Sequence, residues 1–415
     1  MTTTRPRSAS SAASIALRVL AYFVTAWGTL GFLTAGLFSG ALWLTVAVAL
    51  YTTIPILVYA RYRGWPFYPG AAFRLFVVRP FWYAQLMLPL VGAAGLIGLL
   101  VGTPFGHGVT AGRAFAGVVL AVSATVLALG YLGSRRLVVR HVETEVPDLS
   151  PAFDGLRIVQ LSDLHIGPHS NRKFLDRVVQ ATHALTPDLI AVTGDLIDDR
   201  AEDVESYARA LGALNAPLGV FMIPGNHDVY AGWDRVERAL HDADLGTVLV
   251  NDVHVVQRGS ATLALVGTGD PAGGSRGHSR VAPDVERALR NVPTSATVIA
   301  FAHNPALWPS LAARGVALTL SGHTHWGQFA LPKLGWSLAS PFLKHAMGAH
   351  AERDTLLYIS PGTGYWGIPF RIGASPEVTL VTLRRGATAT ATVHPARSAR
   401  RPAAFQIRAP EAVTT

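Results

Sequence analysis

Two patterns of apolar residues divide the chain. Up to about Leu132 the apolar residues come in long runs, separated by short stretches that carry arginine. Four runs, roughly Ile15 to Leu37, Ala41 to Ala60, Trp82 to Val101 and Ala114 to Leu132, are each close to the ~20 residues that cross a bilayer core. They predict an all-α membrane region of about four transmembrane helices over residues 1–142. A cleaved signal peptide fits the first run poorly, because the run is too long and three more follow.

From Leu156 the pattern changes to short β-branched runs alternating with amphipathic stretches. "LRIVQLSD" reads as a strand, and "NRKFLDRVVQATHAL" as a helix with Phe174, Val178 and Val179 on one face. The strands "DLIAVTGD" and "GVFMIPGN" each precede a helical pattern, "AEDVESYARALGAL" and "WDRVERALHDAD". "VHVVQRG" and "TLALVGTG" read as neighbouring strands joined at Gly259. A helix over Ala282 to Arg290, the strand "ATVIAFAH", a short helix near Leu307 and the strand "VALTLSGH" follow, with late strands at "TLLYIS" and "EVTLVTL". This is an α/β order with a more antiparallel second half. It predicts a linker at residues 143–155, a folded domain at 156–385, and a disordered basic tail at 386–415, rich in Ala, Thr, Pro and Arg.

Charge changes the picture in two ways. Before Glu143 there is no Asp, Glu or Lys, only eleven arginines. They gather at or before the start of the first run (Arg5, Arg7, Arg18), between the second and third (Arg61, Arg63, Arg74, Arg79) and after the fourth (Arg135, Arg136, Arg140), while the loop after the first has none and the loop after the third only Arg113. The positive-inside rule then puts the N-terminus and everything after Arg140 in the cytoplasm, on a multi-pass cell-membrane protein. The net charge of +9 at first suggests nucleic acid. However, residues 143–383 hold 18 basic against 25 acidic side chains, so the basicity lies in membrane flanks and tail and a nucleic-acid groove is not expected. The absence of Cys fits a reducing compartment.

The chemistry gathers at the carboxyl ends of the apolar strands, where ligands bind in open α/β sheets. "LSDLH" offers Asp163 and His165, and "TGDLID" offers Asp195. "PGNHD" offers Asn226, His227 and Asp228, "FAHNP" offers His303, and "SGHTHWGQ" offers His323 and His325. Glycines at Gly194, Gly225 and Gly322 let the chain turn there. Any one of these side chains reads as easily as a helix cap or a core histidine. All five segments in order do not. Imidazole and carboxylate without thiol suit Mn, Fe or Zn. The ligands are too many for one catalytic zinc, but fit two divalent metal ions sharing a carboxylate, the pair that serves phosphoryl displacement.

The ordered set "DLH", "GDLID", "GNHD", "HNP" and "GHTH" closely resembles the calcineurin-like metallophosphoesterases, over about Arg157 to Gln328. "SPGTGYWGIPFRIGASPEVTLVTL" further resembles the bacterial membrane-anchored subgroup. The resemblance implies a four-layer αββα sandwich with a dinuclear site. In it Asp163, His165 and His325 would bind one metal, and Asn226, His303 and His323 the other, with Asp195 bridging. His227 would face the scissile phosphate, oriented by Asp228. Trp326 stands where the subgroup often has a small residue, and its indole either narrows the site or packs on a neighbouring loop.

Substrate is the least legible part. "LPKLGWSLASPFLKHAMGAH" carries Leu331, Leu334, Trp336, Phe342, Leu343 and Met347 without clean periodicity, and reads as a cover on a sheet edge or as an apolar lip over the site. With a catalytic domain held at the bilayer, the leading expectation is a phosphodiesterase or pyrophosphatase acting on a phospholipid or lipid-linked pyrophosphate at the cytoplasmic face. The alternatives are a phosphodiesterase for a soluble nucleotide, a transporter or sensor regulated by this domain, and a non-catalytic binding module. The apolar runs hold no acidic residue or Lys, which speaks against ion-coupled transport. The intact ligand set speaks against the binding module.

Overall fold

The computed structural model describes residues 71–399 apart from 168–169 and 171. The runs expected at Ile15 to Leu37 and Ala41 to Ala60 lie outside these residues, as does most of the expected tail. The chain divides into two units between Leu129 and Gly130.

In the first unit, α1 (Arg79–Gly102) and α2 (Gly108–Gly133) contain 24 and 26 residues. Both are long and apolar enough to cross a bilayer. Their backbones meet closely at small residues: a Cβ on Gly98 would stand 2.6 Å from the Ala111 carbonyl oxygen. Small residues allow such approach where apolar burial gives no drive between helices. The described residues thus hold two apolar helices where the sequence leads to four.

The second unit contains two sheets. In the first, β1 (Val138–Pro147), β2 (Arg157–Leu161), β3 (Leu189–Thr193), β4 (Val220–Ile223), β5 (Thr247–Val248), β14 (Glu377–Gly386), β15 (Thr390–Val393) and β16 (Arg397–Ser398) run in the order β15-β1-β14-β2-β3-β4-β5, with β16 also on β1. In the second, β6 (Asp252–Arg258), β7 (Ala261–Gly267), β8 (Thr297–Phe301), β9 (Leu318–Ser321), β12 (Gly348–Glu352) and β13 (Thr355–Ile359) run β12-β13-β9-β8-β7-β6. A small hairpin, β10 (Ala330–Leu331) with β11 (Trp336–Ser337), stands apart.

Facing strands of the two sheets share one core, in which Ile158, Ala191 and Phe221 meet Leu265, Ile299 and Leu320. The opposite face of the first sheet is covered by α3 (Arg172–Ala184), α4 (Glu202–Leu211) and α6 (Trp233–Asp242), through Val178, Val204 and Val236. A short helix, α5 (Asn226–Tyr230), precedes α6. The outer face of the second sheet packs on α8 (Val285–Leu289) and α9 (Trp308–Ala312) through Ala288 and Leu311; α7 (Pro271–Ser275) lies on the crossover between β7 and β8. Two sheets between two helical layers make the expected αββα sandwich. Strands buried on both faces read as unbroken apolar runs, which is why β2, β3 and β4 were evident in the sequence.

The second half is the more antiparallel, as expected: β2 to β5 pair with one another only in parallel, whereas β6 and β12 run against the mutually parallel β7, β8, β9 and β13, and β14 runs against β2. Two expectations need correction. The residues taken as the start of the linker, Glu143 to Pro147, belong to β1, which pairs with β14 along its whole length. Nor is the chain irregular from residue 386, because β15 and β16 add to the other edge of β1. Glu143 and Glu145, with the polar residues of β15 and β16, lie at this sheet margin, where one side of each strand faces water.

Arg140 also changes meaning. Its Nε donates to Glu377 Oε2 at 2.5 Å, while Tyr358 Oη and Thr379 Oγ1 donate to Glu377 Oε1 at 2.6 and 2.9 Å. Tyr358 stands on β13, so this network ties the second sheet to the first. Arg140 is a structural residue of the sandwich rather than a free flanking charge.

Candidate metal centre

The ends of β2, β3, β4, β8 and β9 bring the expected side chains together. His303 Nε2 lies 3.2 Å from Asp195 Oδ2 and 3.3 Å from Asn226 Oδ1, which is 2.7 Å from His323 Nδ1. Beside them His165 Nε2 lies 2.9 Å from His325 Nε2 and 3.6 Å from Asp195 Oδ2, and His325 Nε2 is 3.4 Å from Asp163 Oδ1. Asp195 thus touches both groups. One half holds Asp163, His165 and His325; the other holds Asn226, His303 and His323.

The backbone is strained to achieve this. Asp163, His165, Asp195, His323 and His325 all have positive φ, between 45° and 69°, which side chains with a Cβ seldom adopt. Such conformations persist where the surroundings over-determine them, and they concentrate at functional sites. Of the three glycines expected to permit turns, only Gly194 has positive φ, at 86°. Gly322 is required by space instead: a Cβ there would stand 1.9 Å from Ser162 Oγ and 2.2 Å from Asp163 Oδ2.

The electrostatics follow from burial of many titratable groups in one place. Burial pushes Asp163 upward, with Asp195 adding to it. Burial also opposes ionisation of Asp195, but His303, His165 and His227 overcome it and hold this carboxylate far below its ordinary range. Burial pushes His325 well down, helped by the nearby Arg371, and lowers His323 to about 4. Asp228 is raised to about 6 by burial and by Asp195.

Two side chains outside the expected set hold this arrangement. Arg371 is buried; its Nη1 donates to the carbonyl oxygens of His325 (3.0 Å) and Pro361 (2.5 Å), and its Nη2 to Gly364 O (2.5 Å) and His325 Nδ1 (2.8 Å). A guanidinium can only donate, so His325 Nδ1 presents its lone pair, and in the neutral ring the proton sits on Nε2, the nitrogen turned to Asp163 and His165. Asp198 is the other: its Oδ1 lies 3.3 Å from His165 Nδ1, a charge contact off the line of a hydrogen bond. The signals were present in "GDLIDD" and "IPFRIG", but nothing in spacing says which way those side chains point.

His227 lies beside the cluster, its ring 4.7 Å from that of His165 and edge-on to it. The expectation that Asp228 orients it is overturned. Asp228 accepts from the backbone amides of Gly225, Leu196 and Ile197, at 2.9, 3.3 and 3.1 Å, which uses its carboxylate to brace the loops. The contact to His227 Nδ1 comes from Asp198, whose carbonyl oxygen is 2.8 Å away and whose Oδ1 is 3.5 Å away. Trp326 does not line the site: its indole is 3% exposed, packs with Trp308 and Leu357, and donates to Ile359 O at 2.9 Å.

The sequence model of the calcineurin-like phosphoesterases matches residues 156–327. An uncharacterized metallophosphoesterase of Bacillus subtilis is 31% identical over 274 residues, 64% of this chain and 93% of that protein. A transmembrane protein with metallophosphoesterase domain from Danio rerio is 35% identical over 256 residues, 59% of this chain and 56% of that protein. A counterpart with the same name from Bos taurus is 32% identical over 254 residues, covering 59% and 57%. The chain belongs to the calcineurin-like metallophosphoesterases. It spans little more than half the length of the two vertebrate relatives.

Proposed function

We propose that the chain is a membrane-held phosphoesterase that uses two divalent cations, and the observation that carries this is the convergence on Asp195. Two clusters of nitrogen and oxygen ligand atoms meet there, and His165 Nε2 and His325 Nε2 stand 2.9 Å apart, sharing the His325 Nε2 proton that a cation would replace. The donor set therefore fits the family's metals. Asp163, His165 and His325 would hold one ion, Asn226, His303 and His323 the second, and Asp195 both; nitrogen and oxygen donors without sulfur suit Mn, Fe or Zn.

Bound there, such a pair supplies a water acidic enough to attack phosphorus at neutral pH and positive charge for the phosphoryl oxygens. The chain's own part is positional. Asp195 fixes both clusters to the end of β3. His227, with Nδ1 held by the Asp198 carbonyl, presents Nε2 as the free nitrogen of the ring. With Nδ1–H engaged, a proton on Nε2 makes this ring an acid for the leaving oxygen or a cation for the phosphate, and the Asp198 carboxylate at 3.5 Å supports that charge.

For the substrate we favour an amphiphilic phosphodiester or pyrophosphate, reached at the cytoplasmic face. Support comes from the apolar helices, the arginines that remain at the flanks once Arg140 is assigned to Glu377, and the exposed apolar residues after β9. A soluble nucleotide is the competing substrate. Full-length protein in detergent, stripped with chelator and resupplied with Mn, Fe or Zn, should lose and regain hydrolysis of a chromogenic phosphodiester. His227→Ala should keep its metal while turnover falls by ~10²–10⁴-fold. Undiminished hydrolysis after thorough metal removal would sink the reading. A screen of phospholipids against nucleotides then separates the two substrates.

A further inference from the structure

The exposed apolar residues of the second unit are concentrated in one segment. Leu331, Leu334, Trp336, Leu338 and Phe342 are all exposed, Leu334 by 75% and Phe342 by 84%. They stand on and just after the β10–β11 hairpin, which closes through a tight turn at Pro332–Leu334. Trp366 joins the patch, because its backbone N–H and C=O pair with the Gln328 side chain at 3.1 and 3.0 Å. Trp366 is also the ring nearest solvent beside His227, with centroids 6.0 Å apart. The patch therefore borders the candidate metal centre.

A hairpin and following segment that leave a leucine and a phenylalanine mostly in water cost solvation unless something covers them. Charge says what. Lys333 and Lys344 flank the patch, and no Asp or Glu occurs between Glu286 and Glu352. Apolar and aromatic tips with lysines beside them suit the boundary of headgroups and acyl chains. A second copy of the same face would set these lysines against one another. We infer that residues 331–342 form an interfacial hairpin that docks on an anionic bilayer surface and holds the rim of the metal centre there. This rests on α1 and α2 being bilayer spans and does not depend on the metal chemistry.

The chain has no cysteine, so single cysteines can be placed in the full-length protein without other changes. Leu334→Cys and Phe342→Cys would each carry a nitroxide, in nanodiscs of phosphatidylcholine with or without phosphatidylglycerol. Val118→Cys, exposed on α2, and Ser206→Cys, exposed on α4, serve as references. Collision with oxygen against a water-soluble nickel chelate reports depth. The labels at 334 and 342 should lie about 5–10 Å into the interface of the anionic discs. They should move toward water when phosphatidylglycerol is omitted or salt is raised, while 206 stays aqueous and 118 stays in hydrocarbon. Labels at 334 and 342 as wet as 206, with 118 in hydrocarbon, would overturn the docking surface alone. A wet label at 118 would remove the spans and the surface with them. Spin–spin broadening at 334 would reassign the patch to a second copy and overturn the inference.

Discussion

The two halves of the metal centre are alike in ligand number and unlike in what stands behind the ligands. Behind Asp163, His165 and His325 are side chains that carry charge or a hydroxyl: Ser162 Oγ donates to Asp163 Oδ2 at 2.6 Å, Asp198 faces His165, and Arg371 donates to His325. Behind the other half is mostly backbone. His303 Nδ1 is 2.9 Å from the carbonyl oxygen of Thr193, the last residue of β3, and Asn226 and His323 hold each other directly. The first half is thus tuned by residues that substitution can remove one at a time. The second is built into the sheet, where only the fold itself can be disturbed.

The harshest way to break that contrast is to remove what the halves share. Asp195 Oδ2 faces His165 and His303, while Oδ1 accepts the His227 amide at 2.8 Å. Asp195→Asn keeps the shape but turns one oxygen into a donor aimed at nitrogen ligands. Metal content, read by elemental analysis of full-length protein, should fall in both halves. The fall in affinity should exceed the ~10–100-fold typical of losing a residue behind a ligand. Loss of one ion with full retention of the other would show that Asp195 serves a single half.

Arg371 tests the contrast from one side. Arg371→Gln removes the donor that fixes the His325 ring, and should weaken metal binding in the first half by ~10–100-fold while the second half keeps its ion. Arg371→Lys restores charge but not the fork that reaches four acceptors, so it should rescue only part of the affinity. A titration with a divalent cation should therefore change from one joint transition to two separated ones. Equal weakening in both halves would mean that Arg371 supports the fold of the loops and not the orientation of His325.

The same contrast explains what the sequence made legible. The ligands stand directly after continuous apolar strands, so their order along the chain already places them at one sheet end, and His303 and His323 needed no further information. Arg371 and Asp198 act across loops. Arg371 reaches His325 from 46 residues downstream, through a turn whose path depends on Gly362 and Gly364, and no local period encodes that approach. Asp228 was misread for the opposite reason: it is adjacent in sequence to His227, yet three backbone amides claim its carboxylate. The strand β1, beside the edge strand β15, was missed because alternation of Val142, Thr144 and Val146 with Glu143 and Glu145 stops at Pro147 and resembles a polar connection.

The smallest expected effect lies inside the first half, at Ser162. Its hydroxyl donates to Asp163 Oδ2, but the same carboxylate also accepts the His323 backbone amide, at 3.0 and 3.2 Å to its two oxygens. Ser162→Ala therefore removes one of two donors and leaves the one that the backbone fixes. A hydrogen bond to a charged group contributes about 1.5–3 kcal/mol, and the remaining amide compensates in part. Metal affinity in the first half should fall by roughly tenfold, equivalent to about 1.4 kcal/mol. Turnover at saturating metal should be unchanged, because Ser162 touches no group that moves a proton. The second half is the control. If its affinity drops as far as that of the first, the His323 amide carries the disturbance across, and the halves are one coupled unit. If it holds, the donors behind Asp163 tune one ion alone, as the contrast between charged side chains and fixed backbone requires.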